Sequence, residues 1–276
     1  MCRAVQARDF TGLEATDDPR RWRLPVWRGI CSGQGPLFGG CGLGAAIDAL
    51  ETATGRPLVF ATAQFLAFAS PPAVVDLTVD EVVRGHASSQ VRVTASVDSE
   101  EIFTVVAAAG RRPRHFGGAW AVMPDVAPPE AAAPRPLRDG QEGTVTDRLE
   151  MRLAVARADG EGSGSTEDGR SALWVRLPEP EVTAAMLAVV GDYVPFGIGQ
   201  ALGRQTSSNS LDNTIRVARH DHRTDWILAD VRVHAVSDGF GHGLVHLWAR
   251  DGTLLATASQ STIVREWRPR SEGKHA

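Results

Sequence analysis

The chain has 276 residues, 43% of them apolar and 22% charged, with a formal net charge of −4. That composition supports a sizeable core beneath a polar surface, and the length suits two domains of the usual ~100–150 residues. It excludes a general nucleic-acid or anionic-membrane binder, because either would present a basic face. Met1 to Arg21 is polar and lacks the apolar stretch of a secretory signal. No window approaches the ~20 apolar residues of a membrane span. Cys2, Cys31 and Cys41 form neither an even framework nor a CxxC, so no disulfide or structural zinc is expected. A reducing compartment, the cytoplasm, follows as the expected location.

In chain order, residues 42–54 (GLGAAIDALETAT) have helix-forming composition and end near Gly55. Four β-like runs follow, at 58–68, 74–83, 88–97 and 101–109. Residues 123–143 are rich in proline and alanine and read as a linker; residues 159–171 are glycine, serine and acid and read as a loop. Neither is expected to pack. Beyond them, residues 181–190 suggest a second helix, and runs at 210–218, 225–236, 243–249 and 253–264 suggest four more strands. The runs are rich in Val, Ile, Thr and Trp with partial alternation, as strands should be. Turn signals Asp98-Ser99 and Asp251-Gly252 fall at the same place in the order.

Each half therefore reads as one helix followed by a four-strand meander. The expected fold is α+β, with an N-terminal unit over 1–122, a linker over 123–143 and a C-terminal unit over 144–276. One helix cannot cover both faces of such a sheet, so the two units should join side by side into one continuous sheet. That is the double hotdog arrangement.

Short patterns resembling dinucleotide loops, Gly40 to Gly44 and Gly239 to Gly243, fall short of a full GxGxxG, and there is no GxSxG elbow. His220, His222, His242 and His246 lack a complete ligand set, and neither metal nor cofactor is expected. Phe38-Gly39-Gly40 stands directly before the first helix. Glycines there leave the N-terminal N–H groups unobstructed at the positive end of the dipole, where a carbonyl or developing oxyanion would be stabilised. Close packing alone would use the same glycines.

The second half carries the chemistry candidates: Asp212 early in the first strand after the helix, His234 in the next, and Gln260 in the last. With the halves aligned, Asp212 falls opposite Thr62, Gln260 opposite Ala108 and His234 near Val82. Polar residues in one copy thus face small or apolar ones in the other, as when a duplicated fold keeps one site. The plain alternative is a capping Asp, a satisfied His and an edge-strand Gln.

These residues resemble the acyl-CoA thioesterase II family of double-hotdog enzymes. The carriers are Leu37-Phe38-Gly39-Gly40, Leu211-Asp212-Asn213-Thr214-Ile215, Asp225-Trp226-Ile227-Leu228, Gly243-Leu244-Val245, and Asp251-Gly252 leading to Ala256-Thr257-Ala258-Ser259-Gln260. In that family an Asp, a Thr or Ser, and a Gln hold a water that attacks the thioester. The resemblance implies Asp212 as the acid, Gln260 as the amide, and His234 at the hydroxyl position. Cys41 stands where a Gln commonly follows the family's Phe-Gly-Gly. It implies hydrolysis of an acyl-CoA or acyl-carrier thioester in lipid metabolism, with Asp212, His234 and Gln260 catalytic and Phe38, Gly39 and Gly40 binding substrate. Enoyl-CoA hydration or dehydration and non-catalytic acyl binding stay open as alternatives, as does assembly into a homo-oligomer.

Overall fold

The computed structural model describes residues 7–113, 116–156, 168–179 and 181–267. A short helix α1 (Ala7–Thr11), strands β1 (Glu14–Ala15) and β2 (Arg21–Pro25) and a 3-10 turn (Arg28–Ile30) lead into the first long helix, α2 (Gly39–Thr54). Then come β3 (Leu58–Phe65), β4 (Val74–Arg84), β5 (Ser88–Val97) and β6 (Glu100–Gly110). The second half holds β7 (Ala133–Pro134), α3 (Val145–Arg148), β8 (Met151–Val155), β9 (Arg170–Arg176), α4 (Ala184–Gly191) and α5 (Val194–Leu202). It ends with β10 (Thr206–Val217), β11 (Trp226–Ser237), β12 (Phe240–Ala249) and β13 (Leu254–Glu266).

All strands join one antiparallel sheet in the order β1-β2-β4-β5-β6-β3-β10-β13-β12-β11-β9-β8-β7. The order is palindromic about the β3–β10 seam: β6, β5, β4 and β2 on one side answer β13, β12, β11 and β9 on the other. At the seam Thr62 pairs with Thr214, and their hydroxyls are 3.0 Å apart. The expected double hotdog is the observed fold.

Helices α2 and α4 lie against the inner face of this sheet, and one apolar core runs through both halves. Small residues let them touch. A Cβ on Gly44 would come within 2.8 Å of the Ala185 carbonyl, and one on Gly40 within 2.9 Å of the Ala188 carbonyl. The apolar run through α4 and α5, residues 184–202, is long and apolar enough to cross a membrane, contrary to the expectation from sequence. It is mostly buried beneath the sheet and is broken at Asp192-Tyr193, as befits a core helix.

The segment 123–143 is also corrected. Its first part packs against the outer face of the second half, where Ala132, Met123 and Val126 join a cluster formed by Trp174, Trp226, Leu228 and Trp248, and its later residues, from Arg135 on, reach the cavity described below. The Trp174 indole N–H donates to the Ala127 carbonyl at 2.8 Å. A proline-rich strap gives up backbone donors, but cover over tryptophans needs apolar contact rather than a hydrogen-bond ladder. The outward residues of β4 and β5 in the first half have no such cover and alternate cleanly with buried ones. Most of the expected loop 159–171 lies outside the described residues; Arg170 and Ser171 begin β9.

Candidate active site

The site begins with a helix break. Pro195 cannot continue α4, because it lacks an N–H and its ring would strike the carbonyl four residues back. The chain therefore turns at Asp192 and restarts as α5, which throws the Asp192 side chain off the end of α4. It lands at the N-terminus of α2, where Phe38 supplies no side-chain cap. The Gly40 N–H donates to Asp192 Oδ2 at 2.5 Å. A distant carboxylate thus does the work of a local N-cap, at the positive end of a helix dipole.

Gln260, in β13, closes the other side. Its Oε1 accepts from the Val194 N–H at 3.2 Å, which fixes the orientation of the amide. Its Nε2 then donates to Asp192 Oδ1 in a short contact, and to Ser210 Oγ at 3.1 Å. Asp192, Gln260 and Ser210 thus form one connected network, with Asp192 and Gln260 buried. Burial pushes the Asp192 carboxyl up to about 7, against the opposing pull of the Gly40 N–H and the Gln260 amide. A carboxylate poised there can take a proton near neutral pH.

The network opens onto a cavity of about 560 Å³. Its apolar wall comes chiefly from the first half, including Leu37, Phe38, Phe65, Phe68 and Phe103, while Ser210, Tyr193 and Phe196 come from the second. Phe38 and Tyr193 meet with ring centroids 6.1 Å apart. Cys41 is fully buried, and burial holds its thiol far above its usual range, so it is not a nucleophile.

Of the residues expected from sequence, the structure brings Gln260, Phe38, Gly39 and Gly40 to this point and leaves two elsewhere. Asp212 faces the other side of the sheet. Along β13, Ala258, Gln260 and Thr262 are buried on the inner face, while Ser259 and Ser261 alternate outward. Asp212 pairs with Ser261 and accepts the Ser261 N–H at 2.8 Å. A bulge between Ser210 and Asp212 makes the switch, giving Ser210 the inner face opposite Thr262. His234 is exposed at a bulge in β11, two strands from Gln260, or roughly 10 Å at the usual strand spacing. It is part of no shared network with Gln260.

Two members of this network, Asp192 and Ser210, were not singled out from the sequence. Asp192 had a signal: it is the single carboxylate in the apolar run 184–202 and stands three residues before a proline. The comparison of the halves also shifts, by two residues at β3, where Thr62 answers Thr214 and not Asp212, and by one at β6. Thr62 pairs with Val106 and Thr214 with Ser259, so Ala107 occupies the place of Gln260. The first half therefore has no amide to build a second copy of the site.

The description "Acyl-CoA thioesterase N-terminal domain" matches residues 28–110, and "Acyl-CoA thioesterase C-terminal domain" matches residues 129–264. No curated protein matches the chain in sequence. A candidate thioesterase from Novosphingobium aromaticivorans DSM 12444 is 30% identical, with TM-score 0.81 over 93% of this chain and 99% of its own. A hot dog fold protein from Alicyclobacillus acidocaldarius has TM-score 0.81 at 22% identity, over 95% and 98% of the two chains. The acyl-CoA thioesterase II TesB2 of Mycobacterium marinum has TM-score 0.72 at 18% identity, over 95% and 98%. At those two identities the likeness speaks for the fold alone. Matches to both paired domains, and a relative at 30% identity along nearly its whole length, place this chain in the acyl-CoA thioesterase family.

Proposed function

We propose that the protein hydrolyses an acyl thioester to the free acid and the thiol, with Asp192 as the general base. The observation that carries this reading is the network of Asp192, Gln260 and Ser210 beside the N-terminus of α2, of which Asp192 and Ser210 line the cavity and Gln260 lies buried behind them. These are the residue types, an acid, a hydroxyl and an amide, that the resemblance to the thioesterase II family calls for.

In this mechanism the Ser210 hydroxyl and the Asp192 carboxylate hold a water against the thioester carbonyl. Asp192 takes a proton from the water as its oxygen bonds to the carbonyl carbon. The carbonyl oxygen gathers charge at the first turn of α2, where we assign the Gly39 N–H as its donor. Collapse of the adduct breaks the C–S bond and expels the thiolate, which regains the proton. Gln260 neither gains nor loses a proton; it fixes Asp192 and Ser210 relative to each other. The hydration alternative needs a histidine beside the acid, and no described histidine lines the cavity.

The test is thiol release from a panel of acyl-CoAs by the parent, Asp192→Asn and Gln260→Ala proteins. The mechanism expects release by the parent and a loss on the order of 10²–10⁴-fold in Asp192→Asn. Undiminished release by Asp192→Asn would refute it.

A further inference from the structure

The cavity carries more positive charge than hydrolysis uses. Beyond β7 the strap turns back along β8, where the Arg135 N–H donates to the Met151 carbonyl at 2.9 Å. This sets the Arg135 side chain in the cavity wall. Its guanidinium lies 5.7 Å from the centroid of the Tyr193 ring and 5.1 Å from that of Phe196, and Nη1 donates to the Met151 sulfur at 3.1 Å. Thioether sulfur is a weak acceptor and aromatic faces are partial counter-charges.

Among the described residues no carboxylate comes within 4.0 Å of Arg135. Among the described residues Asp139 is, apart from Asp192, the one acid lining the cavity, and it forms no ion pair with Arg135 or with Arg138, its neighbour in sequence. Arg138, which is exposed, lines the same cavity, and among the described residues neither guanidinium makes an ion pair. Withdrawing a cation from water without pairing it is unfavourable, and a second cation nearby adds to that. Burial, with Arg138 adding to it, holds the Arg135 guanidinium below its ordinary proton affinity, against the opposing pull of the Tyr193 hydroxyl. An arriving oxyanion would relieve both penalties and could take the planar fork in two hydrogen bonds.

We infer that Arg135, supported by Arg138, is the seat of an oxyanion carried by the thioester substrate. The inference rests on the thioester reading above and deepens it. The oxyanion has two sources of shared chemistry: a terminal carboxylate on the acyl group, or a phosphate of the carrier. Tyr193, against which Arg135 packs, directly follows Asp192, so the seat is within reach of substrate bound at the network.

The experiment measures kcat/KM of the full-length parent, Arg135→Met, Arg135→Lys and Arg138→Met on hexanoyl-CoA, adipoyl-CoA and hexanoyl-pantetheine. An acyl carboxylate at the seat lowers the adipoyl-CoA to hexanoyl-CoA ratio in Arg135→Met. A carrier phosphate lowers the hexanoyl-CoA to hexanoyl-pantetheine ratio. Either fall is expected at roughly 10–100-fold, the worth of a charge-assisted hydrogen bond. Arg138→Met should move the same ratio in the same direction by less, and Arg135→Lys should retain part of it. Both ratios within about threefold of the parent in Arg135→Met would overturn the inference.

A turnover-free arm separates this from hydrolysis: melting temperature with adipate against hexanoate, and with CoA against pantetheine. The seat predicts stabilisation by the anionic member of one pair, lost in Arg135→Met. A parent that is so stabilised yet cleaves no thioester keeps the seat and sinks the hydrolytic reading. A parent that cleaves thioesters but shows neither anion-selective stabilisation nor any dependence on Arg135 does the reverse.

Discussion

Asp192 has opposite consequences for activity and stability, and both follow from its burial. The proposed mechanism needs the ionised carboxylate, so kcat/KM should rise with pH through about 7, where burial has pushed this group. Stability runs the other way. Between about pH 4, where the carboxyl titrates in the unfolded chain, and about 7, the folded state binds the extra proton. The contribution is fully present below that window and is lost as pH rises through it, by up to about 1.4 kcal/mol for each unit crossed. Asp192→Asn cannot titrate. Its melting temperature minus that of the parent should therefore grow from pH 4 to 7 and then level, while its activity is low throughout. A difference that stays flat with pH would show that Asp192 is not the raised group. The residues first expected from sequence provide the contrast. Asp212→Asn and His234→Thr touch no part of the network, and each should keep kcat/KM within about threefold. Asp212→Asn loses a charge-assisted bond to the Ser261 N–H and should cost about 1 kcal/mol by denaturant unfolding. A severe loss of turnover in either variant, with the fold intact, would return the chemistry to the outer face.

Helices and bulges decide which of these side chains can meet. The pattern of apolar and polar residues was enough for the first helix, expected over 42–54 and observed over 39–54, and for the eight long strands, because burial on one face imposes an alternation that composition reveals. It was not enough for the site. A single inserted residue at Leu211 exchanges the faces of Ser210 and Asp212, and nothing in the run SNSLDNT announces it. The break at Asp192 was visible as Gly191-Asp192 ahead of Pro195, but its target, a helix N-terminus some 150 residues away, is a tertiary fact. Strap residues 123–134 looked unstructured for a related reason: their partners are tryptophans on strands remote in sequence. The α2–α4 contact yields a prediction at this scale. Gly44→Ala would gain helix propensity, up to about 1 kcal/mol. The new methyl would, however, meet the Ala185 carbonyl at 2.8 Å, and backbone cannot step aside as a flexible side chain can. We expect the clash to win, with a net loss of about 1–2 kcal/mol in urea unfolding. Turnover should fall as well, because a spread helix pair draws Gly40 away from Asp192. A stabilised Gly44→Ala protein would mean that the helices have room to separate.

For the molecule as a whole, the site is a property of the fused pair. The Gly40 N–H and most of the apolar cavity wall come from the first half, whereas Asp192, Ser210 and Gln260 come from the second. The halves share one core and one sheet, joined where Thr62 meets Thr214 in β3 and β10. Two units so joined should unfold together, in a single calorimetric transition whose van't Hoff and calorimetric enthalpies agree. The seam offers a direct test. The double variant Thr62→Asp, Thr214→Asp places like charges directly opposite each other where two hydroxyls now touch. Thr214 is buried and Thr62 half-buried, so the charges are also partly desolvated and poorly screened. The whole transition should move to lower temperature without splitting, and thermal loss of turnover should follow the same curve. If the halves were independent, the variant would instead give two transitions, with the tryptophan signal of Trp174, Trp226 and Trp248 melting at the parent temperature. That outcome would show that each unit holds its own core, and that the continuous sheet aligns the halves without making them one cooperative body.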